Sequence, residues 1–286
     1  MKETIARTDL ALEDTETISS TPHGVSVFSE EKQKVKITRI NITDAQGEKA
    51  IGKPMGTYIT LEVPRFTASA ALDRDTADLL SRELNLLLPQ NRDLILVVGL
   101  GNTDITPDAL GPLVCEKIFA TRHISKDFAK QIGLEGLRSV AVISPGVLGK
   151  TGIETRELIS SAVKSICPSA VIIIDALAAR NLSRLGCTVQ ISDSGICPGS
   201  GVGNSRAEIN KKFLGVPVIS LGVPTVVDAK TLVSDLSDNS PENCPDMIVT
   251  PKEIDMMINR ACELLSASIN LCLQPSLSLD ELLGLI

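Results

Sequence analysis

The chain has 286 residues and a formal net charge of −7, with no tryptophan and a single tyrosine. That length allows one full hydrophobic core, while the acidic balance and the lack of aromatic stacking platforms exclude a nucleic-acid-binding surface. The seven cysteines form no Cys-x-x-Cys pair and no zinc spacing, so they read as buried, reduced thiols of a cytoplasmic protein.

Residues 1–33 are rich in Thr, Ser, Glu and Asp without clear periodicity and contain no apolar stretch of a secretory signal. Residues 10–33 are therefore expected to be a flexible leader, with one ordered domain over 34–286. VKITRINI (35–42) and TYITLEV (57–63) carry β-branched residues in partial alternation, and predict an antiparallel hairpin with Asp44-Ala-Gln-Gly as turn material. In 71–88, Leu72, Leu79, Leu80, Leu84 and Leu87 fall on one helical stripe.

From residue 94 short apolar runs alternate with helical stretches: LILVVGL, then 112–122, SVAVIS, 152–166, AVIIID, TVQISD and VPVISLGV. Strands apolar on both faces with helices between them predict an α/β fold: three layers around a mostly parallel central sheet, with the N-terminal hairpin added. Thr250-Pro-Lys-Glu253 predicts a capping box at the start of the last long helix, and 234–246 a polar loop before it. No apolar run approaches the roughly 18 residues of a membrane helix, so no membrane partner is expected.

SPGVLGKT (144–151) is one glycine short of a Walker phosphate loop. Thr151 and Glu154 make a capping box of their own, so the segment predicts a strand-to-helix turn walling a cleft rather than an ATP site.

In parallel sheets function collects at the carboxyl ends of strands. Three acids fall there: Asp108 after LILVVGL, Asp175 closing VIIID, and Asp193 closing TVQISD. The next loop, GICPGSGVGN, holds Gly195, Gly199, Ser200, Gly201 and Gly203, and glycines let backbone approach a substrate or face an oxyanion. Two carboxylates in one cleft cannot both ionise cheaply, so one keeps a proton while the other acts as a base, which is the machinery of water-attack hydrolysis. Taken singly, each acid also reads as a helix-start, capping or turn residue. With only His23 and His123 in the chain, serine or cysteine triads and histidine-rich metal sites fit poorly.

GLGNTDITPDALGP, SPGVLGKTGIET, IIIDALAAR, QISDSGICPGSGVGN, LGVPVISLGVPTVVDA and IVTPKEID together resemble the germination protease family (peptidase family A25), over roughly residues 95–260, and ARTDLALE adds to the match. The resemblance implies an endopeptidase of the spore core that degrades small acid-soluble spore proteins during germination. It implies a homotetramer and a fold similar to hydrogenase maturation peptidases. It further implies a zymogen processed between Asp9 and Leu10, with 1–9 as propeptide, and catalytic acids at Asp108 and Asp175; beside them, Asn102, Asp104 and Asp193 are expected as supporting residues. No cofactor is expected. A carboxylate-held metal stays open because the hydrogenase relatives hold one, so a metal-dependent peptidase or amidase, or a non-catalytic peptide-binding relative, is the alternative. Thr103-Asp104 stands where the family has Trp-Asn, which adds an acid near Asp108, and a long family insertion is reduced here to the 234–246 loop.

Overall fold

The computed structural model describes residues 8–18, 20–68, 72–200, 206–236 and 247–285. In chain order the elements are α1 (Ala11–Glu16), β1 (Val25–Lys32), β2 (Val35–Ile42), α2 (Ala45–Ile51), β3 (Gly56–Glu62), α3 (Arg74–Leu87), β4 (Leu94–Gly99), α4 (Leu110–Glu116), α5 (Lys126–Gln131) and β5 (Ser139–Ile143). There follow α6 (Leu148–Thr151), α7 (Thr155–Ile166), β6 (Ala170–Ala179), β7 (Thr188–Ser192), α8 (Lys211–Leu214), β8 (Val218–Asp228), α9 (Ala229–Leu236), β9 (Ile248–Val249), α10 (Ile254–Leu273) and α11 (Leu279–Leu285).

Among the described residues one sheet runs β1-β2-β3-β7-β8-β6-β4-β5, with β9 on the far end of β8. The half from β8 to β5 is parallel. Its strands are apolar on both faces because both are covered. Ile95, Val97, Ile172 and Ile174 point into the core under α3, α4 and α10, while Leu96, Val98, Val171 and Ile173 point into a second core under α7. These are the three predicted layers.

The other half, β1-β2-β3-β7, is antiparallel throughout and joins β8 antiparallel as well. TVQISD thus lies antiparallel to both neighbours, although its apolar run matches the parallel strands. The expected pairing of 35–42 with 57–63 is present as β2-β3. The tight hairpin turn, however, sits one strand earlier, at Gln33 and Lys34, both with positive φ.

Several local expectations are corrected. Residues 10–33 are not a loose leader: Leu10 and Ala11 are fully buried, and β1 pairs with β2 along its whole length. Leu10 packs on Leu177, Ala179, Leu185 and Val227, so tertiary contacts order a segment whose polar composition hides it. Asp44-Ala-Gln-Gly is not a turn but the start of α2, with the Asp44 carboxylate accepting from the amides of Gln46 and Gly47.

Neither predicted capping box forms. Thr151 ends α6 and donates to the carbonyls of Val147 and Ile153, while α7 starts one residue after Glu154. Thr250 donates to the carbonyl of Thr225, and α10 starts only after Glu253. In both cases the threonine hydroxyl is taken by a nearer carbonyl. Of the 234–246 loop, 234–236 end α9 and 237–246 lie outside the described residues. None of the six described cysteines is in a disulfide; Cys115, Cys262 and Cys272 are buried, but Cys167 is exposed at a helix end with positive φ.

Candidate active site

The strand order reverses at β4: the chain first moves outward to β5, then returns through α7 to β6 on the other side. Such a switch point leaves a crevice beyond the carboxyl ends of the two diverging strands. Here it is a cleft of about 350 Å³, lined by Asp9, Gly101, Asp108, Asp175, Gly199 and Arg206, among others.

Asp108 is delivered by the loop after β4. Gly101 has φ +122°, and a Cβ there would lie 1.9 Å from the Asp108 carbonyl oxygen, so only glycine lets the loop fold back this tightly. The Asn102 amide donates to that carbonyl at 3.0 Å, and a 3-10 turn over Thr106–Asp108 ends at the acid.

Asp175 is delivered differently. The expectation that it closes a strand is corrected: β6 continues through it to Ala179, still paired with β8. What ends near Asp175 is the neighbour, since β4 pairs only as far as Gly99 opposite Ile174. Asp175 therefore sits inside a long strand at the point where one flank opens, and only 6 % of it is exposed.

The electrostatics follow from that placement. Burial pushes the Asp175 carboxyl well above the usual range, and the negative charges of Asp108 and Asp9 push it further. Burial also raises Asp108, but there the Asn102 amide and the positive charge of Arg206 pull it back. The two acids thus differ in their readiness to ionise.

The other predicted site residues scatter. Gly199 lines the cleft and Ser200 donates to the Asp9 carboxylate at 2.5 Å, while Gly201 and Gly203 lie outside the described residues. Asp193 is exposed at the junction of β3 and β7, accepting from the Thr57 amide at 2.7 Å, and does not line the cleft. Asp104 faces outward in an ion pair with Lys150 at 2.6 Å. Asn102 braces the Asp108 loop through its backbone and accepts from the Asp104 amide through its side chain. In the SPGVLGKT segment, Gly146 and Val147 form part of the cleft wall, and Lys150 is spent on Asp104.

Three participants were not legible. Arg206, which lines the cleft with Asp108 and pairs with Glu154 at 3.9 Å, is the nearby cation, and Arg156, which also lines the cleft, stacks on Phe213 at 3.8 Å. The third is the N-terminal segment itself: of the pair read only as a cleavage junction, Asp9 lines the cleft and Leu10 is buried behind it. The Asp9 amide donates to the Ala178 carbonyl at 2.9 Å, and the Asp9 carboxylate accepts from the Ala178 amide at 2.8 Å. Among the described residues no group of three or more His, Cys, Asp or Glu side chains is arranged to hold a metal ion.

Fold and cleft together define a three-layer α/β protein whose acids gather at the sheet's switch point, where enzymes of this architecture carry their chemistry. A family model for germination protease matches residues 4–239. Relatives described as germination proteases are 44% identical in Caldanaerobacter subterraneus subsp. tengcongensis and 39% identical in Clostridium acetobutylicum; each alignment covers 96% of this chain and 96% or 97% of the relative. A Geobacillus relative is 44% identical over 81% of this chain and 66% of its own length. The chain belongs to the germination protease family, and is accordingly an endopeptidase. Among solved structures, the nickel–iron hydrogenase maturation protease HycI of Thermococcus kodakarensis KOD1 aligns over 65% of this chain and 98% of its own, at 17% identity and a TM-score of 0.38. No helix among the described residues is long and apolar enough to cross a membrane.

Proposed function

We propose that this endopeptidase degrades small acid-soluble spore proteins in the germinating spore core, and that Asp108 and Asp175 are its catalytic pair. The observation that carries the mechanism is the asymmetry between the two acids. Asp175, buried and facing negative neighbours, holds its proton; Asp108, with Arg206 nearby, gives its proton up first. Water between them loses a proton to Asp108 as its oxygen attacks the scissile carbonyl carbon. Asp175 then gives its proton to the leaving nitrogen as the C–N bond breaks. One proton is taken and one is given, so exchange with solvent resets the pair.

The chain is made as a zymogen cut between Asp9 and Leu10. That reading is supported by the position of Asp9, which lines the cleft close enough for its charge to perturb Asp175. Unstructured substrates suit such a site, because an extended chain enters without an unfolding cost. Assembly as a homotetramer in the forespore is proposed on family resemblance, and light scattering of the purified chain tests it. No cofactor enters this mechanism; chelator treatment that abolished cleavage, with recovery on adding a divalent metal, would replace the two-acid scheme with a metal-dependent one.

The direct test is cleavage of a purified small acid-soluble spore protein by wild type, Asp108→Asn and Asp175→Asn. Loss in both variants is expected, whereas unchanged cleavage in either sinks the paired-acid mechanism.

A further inference from the structure

Past Ile174 no strand among the described residues lies beside the flank of β6 that faced β4. Successive outward amides on a strand edge come from alternate residues, and here they belong to Ala176, Ala178 and Arg180. Each is met by a carboxylate. Ala176 donates to Asp175 Oδ1 at 2.9 Å, Ala178 to Asp9 Oδ2 at 2.8 Å, and Arg180 to Glu13 Oε2 at 2.7 Å. Two of those three acids lie on the N-terminal segment, and the Asp9 amide also donates to the Ala178 carbonyl at 2.9 Å, as a neighbouring strand would.

From the opposite side, the buried Gln190 of β7 holds the same segment by its main chain. Its Nε2 donates to the Asp9 carbonyl at 3.0 Å, and its Oε1 accepts from the Ala11 amide at 2.8 Å. One side-chain amide thus satisfies a carbonyl and an amide that flank Leu10, and it reads peptide backbone rather than side-chain identity. An open strand edge is a template for an added strand, and buried backbone groups must find partners.

We propose that the outer edge of β6 from Ala176 to Arg180, together with the Gln190 carboxamide, is the main-chain subsite of the cleft. An extended substrate peptide adds there as a strand; residues 8–10 are its built-in occupant, and they lead into α1, from whose first turn Glu13 reaches the Arg180 amide. Gln190 is a positioning residue that aligns the peptide's carbonyl with the acids. The assignment rests on the proteolytic reading of the cleft, but binding can be measured without turnover.

The test uses the full chain with the occupant's anchors removed, Asp9→Ala with Glu13→Ala, and the milder Glu13→Gln as a folding control. The probe is a synthetic peptide of residues 6–14, ARTDLALED, with a second copy N-methylated at the amide matching Ala11. Hydrogen exchange at Ala178 and Arg180 is expected to speed up in the anchor variants and to slow again when the peptide is added. Losing the bond to Gln190, the N-methylated copy binds about tenfold more weakly. In the shape-conserving Gln190→Met background that difference falls to about twofold or less, whereas Gln190→Glu, which keeps the acceptor, retains it.

Three results overturn the subsite: no binding of the peptide to the anchor variant, binding that leaves β6 exchange unchanged, or an N-methyl penalty that is equal in the anchor variant with and without Gln190→Met. Protection of β6 with a peptide that is never cut upholds the subsite and removes the catalytic reading. Cutting without protection does the reverse.

Discussion

The two halves of the sheet divide the work. The parallel half is built from strands buried on both faces, and it delivers both cleft acids from neighbouring strands at the switch point. The antiparallel half is thinner. β1 is mostly exposed, with Phe28 60% accessible, and the face of β2 and β3 that carries Ile40 and Tyr58 is covered by the N-terminal segment through Ala11 and Leu12. The parallel half thus carries both cleft acids and the open edge of β6, while the antiparallel half contributes Gln190, which holds Asp9 and Ala11 by their main chain.

Removing either acid should break the parallel half's role most completely. Asp108→Asn and Asp175→Asn are each expected to lower kcat by about 10²–10⁴, the range for general acid–base groups, read in a peptide cleavage assay. Asp175→Asn should at the same time raise the melting temperature at neutral pH. An aspartate whose folded pKa is raised stabilises the fold below its unfolded pKa and loses that contribution as pH rises through the folded value. An amide escapes this penalty, so a variant that is inactive and no more stable than wild type at pH 7 would count against a buried, strained carboxyl.

On the antiparallel side, Leu10→Ala empties a fully buried site and should cost about 2–5 kcal/mol in denaturant unfolding. Little change would mean that the N-terminal segment is not held as described.

Asp14 offers a smaller and pH-dependent effect. Burial raises it to about 6 despite the Lys53 ammonium at 3.3 Å. The sign matches that of Asp175: the stabilising contribution is present below about pH 4 and lost as pH rises through about 6. Asp14→Asn should therefore match wild type near pH 4 and exceed it above pH 6, by on the order of 2 kcal/mol; a constant difference across that range would refute it.

Arg206→Ala narrows the contrast between the acids without abolishing it. With its cation gone, Asp108 should ionise at higher pH, and the acid limb of the kcat/KM profile should move upward. An unmoved limb would remove Arg206 from the site. Smallest of all, Lys150→Ala breaks an exposed pair with Asp104 and should change stability by under about 1 kcal/mol.

What was legible follows the same division. The parallel strands declared themselves by unbroken apolar runs such as VIIID, and the acids at or near their carboxyl ends stood out because a charge interrupts such a run. Asp193 met the same criterion and lies elsewhere, because β7 runs antiparallel and its carboxyl end points away from the crevice. Strand direction is a property of pairing, and nothing within TVQISD encodes it. The capping boxes failed for a related reason: a threonine three residues before a glutamate is only an opportunity, which a nearer carbonyl can take first.

By itself, then, the amino-acid order determined the layered α/β architecture, the positions of Asp108 and Asp175, and the family, because these depend on local patterns of apolar and charged residues and on contiguous motifs. Only the tertiary structure decided that Asp175 lies within a strand rather than at its end, that Arg206 shares the cleft with Asp108, and that Asp9 lines that cleft, hydrogen-bonded to Ala178 and Gln190. Those contacts join residues as much as 181 positions apart in the chain. They arise where β4 stops and β6 goes on, a mismatch in strand lengths that exists only once the strands are side by side.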